Sequence, residues 1–92
     1  MANHILSYDL NGARPSHKEV DDLLAGLGAT RGRVLETVWY VGYEGSAVQL
    51  YDAVNPLLSE NDRLIVVEAQ SAAWRNLLIR DDSLQQAWTA NQ

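Results

Sequence analysis

The chain has 92 residues, of which 47% are hydrophobic, and carries a formal net charge of −5 at pH 7. This length suits one domain with one core, and no stretch is long and apolar enough to predict a membrane span. The absence of cysteine excludes disulfides, thiolate zinc sites and cysteine nucleophiles, while the negative charge disfavours non-specific nucleic-acid binding without excluding a local basic patch.

The first predicted element is an apolar strand that ends in a carboxylate. Residues 4–10 read His-Ile-Leu-Ser-Tyr-Asp-Leu and precede an Asn-Gly turn. Side chains alternate along a strand, so Asp9 lies with Ser7 on the less apolar face and Tyr8 lies on the other. Asp9 is the first candidate for a catalytic or metal-binding residue, because ligands and metals are often held at the carboxyl end of a strand. In the alternative interpretation, Asp9 only accepts hydrogen bonds from the turn.

A helix is predicted to begin at His17. Ser16 and Glu19 have the S-x-x-E spacing of a capping box, in which each side chain satisfies a free backbone amide of the other residue. The helix is predicted to end at Gly26 or Gly28, because glycine readily adopts the left-handed conformation at a helix C-terminus. The helix has an apolar stripe at helical spacing, made of Val20, Leu23, Leu24 and Leu27.

Residues 29–43 are rich in the residue types that favour strands, and we interpret them as two strands with a break near Glu36. Arg31 and Arg33 alternate outward on the first of these strands. No Asn-Gly or Gly-Gly dipeptide marks a hairpin turn, so either a bulge carries the bend or this is one strongly bent strand.

A second helix and a fourth strand follow. Ser46 and Gln49 repeat the capping-box spacing, so the helix is predicted to start at about Ala47. Pro56 lacks an amide and predicts a kink about one turn earlier in this helix. Residues 63–68, Arg-Leu-Ile-Val-Val-Glu, have an unbroken apolar centre, which predicts a central strand with neighbours on both sides.

Beyond this strand the apolar residues have helical spacing. They predict two short helices, one behind Ser71 that contains Trp74 and one behind residues 82–83 that contains Trp88. An edge strand through residues 76–80 is the competing interpretation.

The order strand, helix, two strands, helix, strand predicts an α+β fold of the ferredoxin-like βαββαβ type, with both helices on one face of an antiparallel sheet. The whole chain, residues 1–92, is expected to form one domain, with its core in residues 3–68 and a C-terminal extension in residues 69–92. The opposite sheet face would stay open over more area than small monomers expose, which predicts a homodimer through that face. No targeting segment is recognisable, so we expect a cytoplasmic protein.

Three short motifs carry a resemblance to a known family. They are Ser7-Tyr8-Asp9-Leu10, Gly28-Ala29-Thr30-Arg31 leading to Glu36-Thr37-Val38-Trp39, and Asp62-Arg63-Leu64-Ile65-Val66-Val67. Over about residues 3–68 the chain resembles the smaller of the two CRISPR spacer-acquisition proteins. The position that usually holds serine in that family is Thr37, and helical spacing replaces the C-terminal strand that its members exchange. The chain is therefore interpreted as a stand-alone relative.

The resemblance implies a dimeric, metal-dependent RNA or DNA endonuclease. In it Asp9 lies near the dimer axis and binds Mg²⁺ together with the same residue of the second copy. Arg14, Arg31 and Arg33 are the candidate phosphate contacts near this site.

A second hypothesis is a non-catalytic protein-interaction module, such as an antitoxin or a regulator. Its acidic surface and exposed aromatic residues would bind a basic protein partner, with Tyr43, Trp74 and Trp88 as the contact residues. Trp39 and Tyr40 are expected to pack in the core or in a dimer interface rather than to stack on bases.

Overall fold

A four-stranded antiparallel sheet organises residues 2–12, 14–28 and 30–91, the part of the chain that the computed structural model describes. In chain order the elements are β1 (Ala2–Asp9), α1 (His17–Gly26), β2 (Thr30–Leu35), β3 (Val38–Tyr43), α2 (Ala47–Val54), a short 3₁₀ helix (Asn55–Leu57), β4 (Arg63–Glu68) and α3 (Asp81–Ala90).

The strand order is β2-β3-β1-β4, and every neighbouring pair is antiparallel. The predicted ferredoxin-like βαββαβ arrangement is therefore confirmed. One face of the sheet packs against α1 and α2, where the alternate residues of β1 and β3 meet the apolar stripes of both helices. The buried residues of this core are Leu6, Tyr8, Val20, Leu24, Trp39, Val41, Leu50 and Val54.

Both predicted helix starts are confirmed. At His17 the Ser16 hydroxyl accepts the Glu19 amide at 3.2 Å, and the Glu19 side chain accepts the Ser16 amide. The corresponding capping box starts α2 at Ala47. The kink predicted in α2 is absent, because the α-helix ends at Val54 and the chain continues as the 3₁₀ helix that contains Pro56. The missing proline amide thus terminates the helix instead of bending it.

The break predicted near Glu36 is confirmed, since Glu36 and Thr37 form the turn between β2 and β3. The register between the two strands shifts between Arg33 and Leu35. A bulge of this kind was one of the two ways predicted to carry the bend.

The prediction that residues 63–68 form a central strand is wrong. The central strand is β1, which pairs with β3 on one side and β4 on the other, so β4 lies at the sheet edge. Its apolar run has a different cause. Leu64 and Val66 pack against the helix-side core, whereas Ile65 and Val67 are 60% and 44% exposed on the other face.

The helix predicted around Trp74 does not form. Residues 69–80 are irregular, and the Leu78 amide donates a single hydrogen bond of 2.9 Å to the Val34 carbonyl of β2. The competing strand over residues 76–80 does not form either. The second predicted helix is confirmed as α3, but it starts at Asp81 with Arg80 in the cap position, two or three residues earlier than the predicted cap at residues 82–83 implies.

The C-terminal segment, residues 69–91, covers the sheet face opposite α1 and α2. Its apolar residues form a second core with β1, β2 and β3. The buried members are Val34, Tyr40, Leu84 and Trp88, and the partly buried ones are Ile5, Val38, Ala69, Trp74, Leu77, Ile79 and Ala87. The expectation of a wholly open face is therefore wrong, because the chain folds back over the β2 to β1 part. Ile65 and Val67 of β4 stay exposed.

A buried polar cluster fixes α3 against the sheet. The Asn3 amide donates to the Trp88 carbonyl at 3.0 Å, and the Tyr40 hydroxyl donates to the Asn3 side-chain oxygen at 2.6 Å. The Asn91 amide in turn donates to the Tyr40 hydroxyl at 3.1 Å. Burial raises the pKa of Tyr40, so its hydroxyl remains a neutral donor at physiological pH.

Replacing Tyr40 by phenylalanine removes the hydroxyl and leaves the buried Asn3 oxygen without its donor. We expect Tyr40→Phe to lower the free energy of unfolding by about 1–3 kcal/mol, measured by chemical denaturation. The control Tyr51→Phe, on the exposed side of α2, should change it by no more than about 0.5 kcal/mol. Equal stability of Tyr40→Phe and the wild type would contradict the anchoring role.

Candidate functional site

Asp9 lies where the sequence predicts it, at the carboxyl end of β1 on the face opposite the helices. Its partner in register is Arg63 of β4, and the Arg63 Nη1 lies 3.7 Å from the Asp9 Oδ2. Both side chains are largely exposed, at 60% for Asp9 and 79% for Arg63. A shallow cavity of about 170 Å³ opens beside them and is lined by Ser7, Tyr8, Asp9, Arg63, Leu64 and Ile65.

Few metal-binding side chains surround Asp9 in a single copy of the chain. Within residues 2–12, 14–28 and 30–91, no three histidine or carboxylate side chains come close enough to hold a metal ion. The carboxylate of Asp62, adjacent to Arg63, accepts the backbone amides of Asn11 at 2.7 Å and Ser59 at 2.8 Å. These hydrogen bonds hold the pKa of Asp62 below its ordinary value. Asp9 therefore lies beside a cation, and the neighbouring Asp62 carboxylate is engaged by two backbone amides.

The three arginines predicted to contact phosphate do not gather around Asp9. Arg14 forms an ion pair of 2.8 Å with Glu19, and Arg31 forms one of 2.8 Å with Asp21. Both interactions place the cations against α1.

Arg31 and Arg33 also lie on the wrong face of the sheet for a shared site with Asp9. Their register partners are Val41 and Trp39, which are buried in the helix-side core. Side chains opposite each other in an antiparallel pair point to the same face. The two arginines thus face the helices, whereas Asp9 faces away from them.

A hydrogen-bonded chain links three aromatic residues in the helix-side core. The Trp39 indole donates to the Tyr8 hydroxyl at 2.9 Å, and that hydroxyl is hydrogen-bonded to His17 Nδ1 at 2.6 Å. Burial raises the pKa of Tyr8. The expected packing of Trp39 in the core is confirmed, and Tyr8 is buried on the face of β1 opposite Asp9, as alternation predicts.

Two of the aromatic residues proposed for partner binding belong to the second core. Trp88 is 5% exposed, and Trp74, which is half-buried, packs on it with a ring-centroid distance of 6.1 Å. Both side chains therefore pack in the second core under the sheet rather than facing a partner. Tyr43, at the end of β3, is half-buried.

The outer edge of β4 carries free backbone groups. The Tyr8 amide donates to the Thr37 carbonyl, so even-numbered residues of β1 bond towards β3 and odd-numbered ones towards β4. In agreement, the Asn3 carbonyl accepts the Ala69 amide at 2.9 Å. The register then assigns the inward bonds of β4 to Arg63, Ile65 and Val67. The amides and carbonyls of the alternate residues, Leu64, Val66 and Glu68, point away from the sheet.

The two sheet edges differ in their protection. The β2 edge carries the charged residues Arg31 and Arg33, and its register with β3 shifts beside Val34. The Val34 carbonyl also accepts a hydrogen bond from the Leu78 amide. Charged side chains, bulges and covering segments are the usual means of blocking an edge. β4 pairs in regular register with β1 along its whole length, contains no proline, and has charged residues only at its two ends.

Sequence analysis did not single out Ile65 and Val67, which form the exposed apolar surface beside this edge. The available signal was the apolar run of residues 64–67, whose alternate side chains cannot all reach one core. That signal fits a central strand and an exposed edge strand equally well.

Comparison of the chain with protein-family models, curated proteins and solved structures finds no match. The similarity to the CRISPR spacer-acquisition protein thus stays a prediction from the quoted motifs. Among the residues that the structure describes, no helix has the length and apolar character needed to cross a membrane.

The Asp62 carboxylate should stabilise the fold in a pH-dependent way. Its folded-state pKa lies below the ordinary aspartate value of about 3.9, so its contribution is complete above that value and is lost as the pH falls through the folded-state pKa. We expect Asp62→Asn to melt at a lower temperature than the wild type at pH 7, with the difference vanishing at strongly acidic pH. Circular-dichroism melts across the pH range measure this.

The matched control is Asp52→Asn, which changes an exposed carboxylate of α2 and should leave the melting temperature unchanged. A deficit for Asp62→Asn that is equally large at acidic and neutral pH would contradict the role of the charged carboxylate.

Proposed function

We propose that this protein is a non-catalytic interaction module that binds an extended strand of a partner along the outer edge of β4. The observation that carries the proposal is the unprotected edge itself. The free groups of Leu64, Val66 and Glu68 line this edge, and the exposed side chains of Ile65 and Val67 lie beside it.

Strand addition suits these features. Main-chain hydrogen bonds between the added strand and the outward groups of β4 provide affinity, and side-chain contacts on the sheet face provide specificity. Burying an aliphatic side chain completely is worth about 1.5–3 kcal/mol. Ile65 is 60% exposed and Val67 is 44% exposed, so covering each of them contributes about half of that amount.

The charges of the molecule favour binding of a protein strand over cleavage of nucleic acid. Asp9 provides one carboxylate and lies beside Arg63, while Arg14 and Arg31 are neutralised by carboxylates of α1. The net charge of −5 adds a general repulsion of phosphate backbones.

A cleavage assay separates this proposal from the endonuclease implied by the family resemblance. Purified protein is incubated with single- and double-stranded RNA and DNA in Mg²⁺, Mn²⁺ or EDTA, beside the Asp9→Asn variant. We expect no metal-dependent cleavage that the substitution removes, because Asp9 already lies beside Arg63 and, among the residues that the structure describes, no group of three histidine or carboxylate side chains could hold a metal ion.

The control is Asp52→Asn, which keeps Asp9 and changes an exposed carboxylate on α2. Metal-dependent cleavage by the wild type and by Asp52→Asn, abolished in a folded Asp9→Asn variant, would overturn the proposal in favour of the nuclease.

A further inference from the structure

We infer that the strand bound by β4 is the β4 strand of a second copy, paired antiparallel across a two-fold axis at Val66. This inference rests on the proposed function, because it names the partner of the same edge. It differs from the dimer predicted from sequence, which joins two open sheet faces. Here the two sheets join edge to edge into one continuous sheet.

The outward groups of β4 are self-complementary. A two-fold axis perpendicular to the sheet keeps each face on its own side, so a residue must pair with one that points to the same face. With the axis at Val66, Val66 pairs with itself, and Leu64 pairs with Glu68 of the second copy. These are the residues whose amides and carbonyls point outward. This register therefore uses every free backbone group of the strand.

The same register joins the exposed apolar side chains. Ile65 lies opposite Val67 of the second copy in a non-hydrogen-bonded pair, where Cα atoms approach to about 4.5 Å and side chains pack closely. Both copies contribute this pair, so the exposed residues of the two β4 strands merge into one apolar surface. Moving the axis to Ile65 places Arg63 opposite Val67 instead and leaves part of the edge unpaired.

Charge favours an antiparallel second copy over a parallel one. β4 begins with Arg63 and ends with Glu68, and these side chains are 79% and 53% exposed. Parallel in-register pairing would set Arg63 beside Arg63 and Glu68 beside Glu68, whereas antiparallel pairing separates these like charges.

The helix side of the interface is compatible with this arrangement. α2 packs against β4, and the perpendicular axis places the α2 helices of both copies on the same side of the joined sheet.

The test is the molar mass of the full chain by sedimentation equilibrium at roughly tens of micromolar, a range set by ordinary dimer affinities. We expect a dimer. Ile65→Lys places a charge next to its symmetry-related neighbours and should raise the dissociation constant at least about tenfold. Glu68→Pro removes an outward amide without touching a hydrogen bond to β1, and should weaken the dimer by a similar factor.

The matched control is Leu78→Lys, because Leu78 is 59% exposed and Ile65 is 60% exposed. Leu78 lies beside β2 at the opposite edge, so this variant should remain dimeric. Circular dichroism confirms that each variant is folded.

A monomeric wild type would overturn the inference, and so would a dimer that Leu78→Lys disrupts while Ile65→Lys and Glu68→Pro do not. In the monomeric case a labelled peptide of residues 62–69 shows whether the proposed function fails too. If the peptide binds to the wild type but not to Ile65→Lys, the proposed strand-binding function is retained and the natural partner is a different chain. No binding overturns both.

Discussion

The buried hydrogen bonds of Asn3 and Tyr40 determine which parts of this sheet are covered and which are exposed. Asn3 donates to the Trp88 carbonyl, and Tyr40 donates to Asn3 while it accepts from Asn91. A buried amide or hydroxyl without a partner is costly, so α3 can pack over the sheet only in the position that satisfies all of these groups. The apolar contacts of the second core drive the C-terminal segment onto the sheet, and the polar cluster selects its position.

The position of α3 has a direct consequence for function. With the C-terminal segment over β1, β2 and β3, the face that small ferredoxin-like domains must cover is largely filled by the chain itself. Leu78 bonds to the β2 edge in the same region. β4 lies outside this cover, with Ile65 and Val67 exposed, charged residues only at its two ends, and no proline or bulge along its length. The proposed binding function and the proposed dimer both follow from this asymmetry between the two edges.

Local signals in the sequence predicted the parts of the fold that local chemistry determines. Ser16 and Ser46 mark the starts of α1 and α2 because a capping box is made within four consecutive residues, and alternation placed Asp9 correctly. The position of β4 depends on which strand pairs with β1, which the apolar run alone does not encode. Trp74 has helical spacing but packs on Trp88 from an irregular segment, because tertiary contacts outweigh weak local preference. The separation of Asp9 from Arg31 and Arg33 likewise depends on strand register.

Amide hydrogen exchange along β4 tests the central claim most directly. The inward amides of Ile65 and Val67 bond to β1 in every state, whereas the outward amides of Val66 and Glu68 are protected only when a strand occupies the edge. The account predicts slow exchange at all of these amides in concentrated protein, with protection of the outward ones lost on dilution. Rapid exchange of the outward amides at every concentration, beside protected inward amides, would contradict pairing of β4 with a second copy.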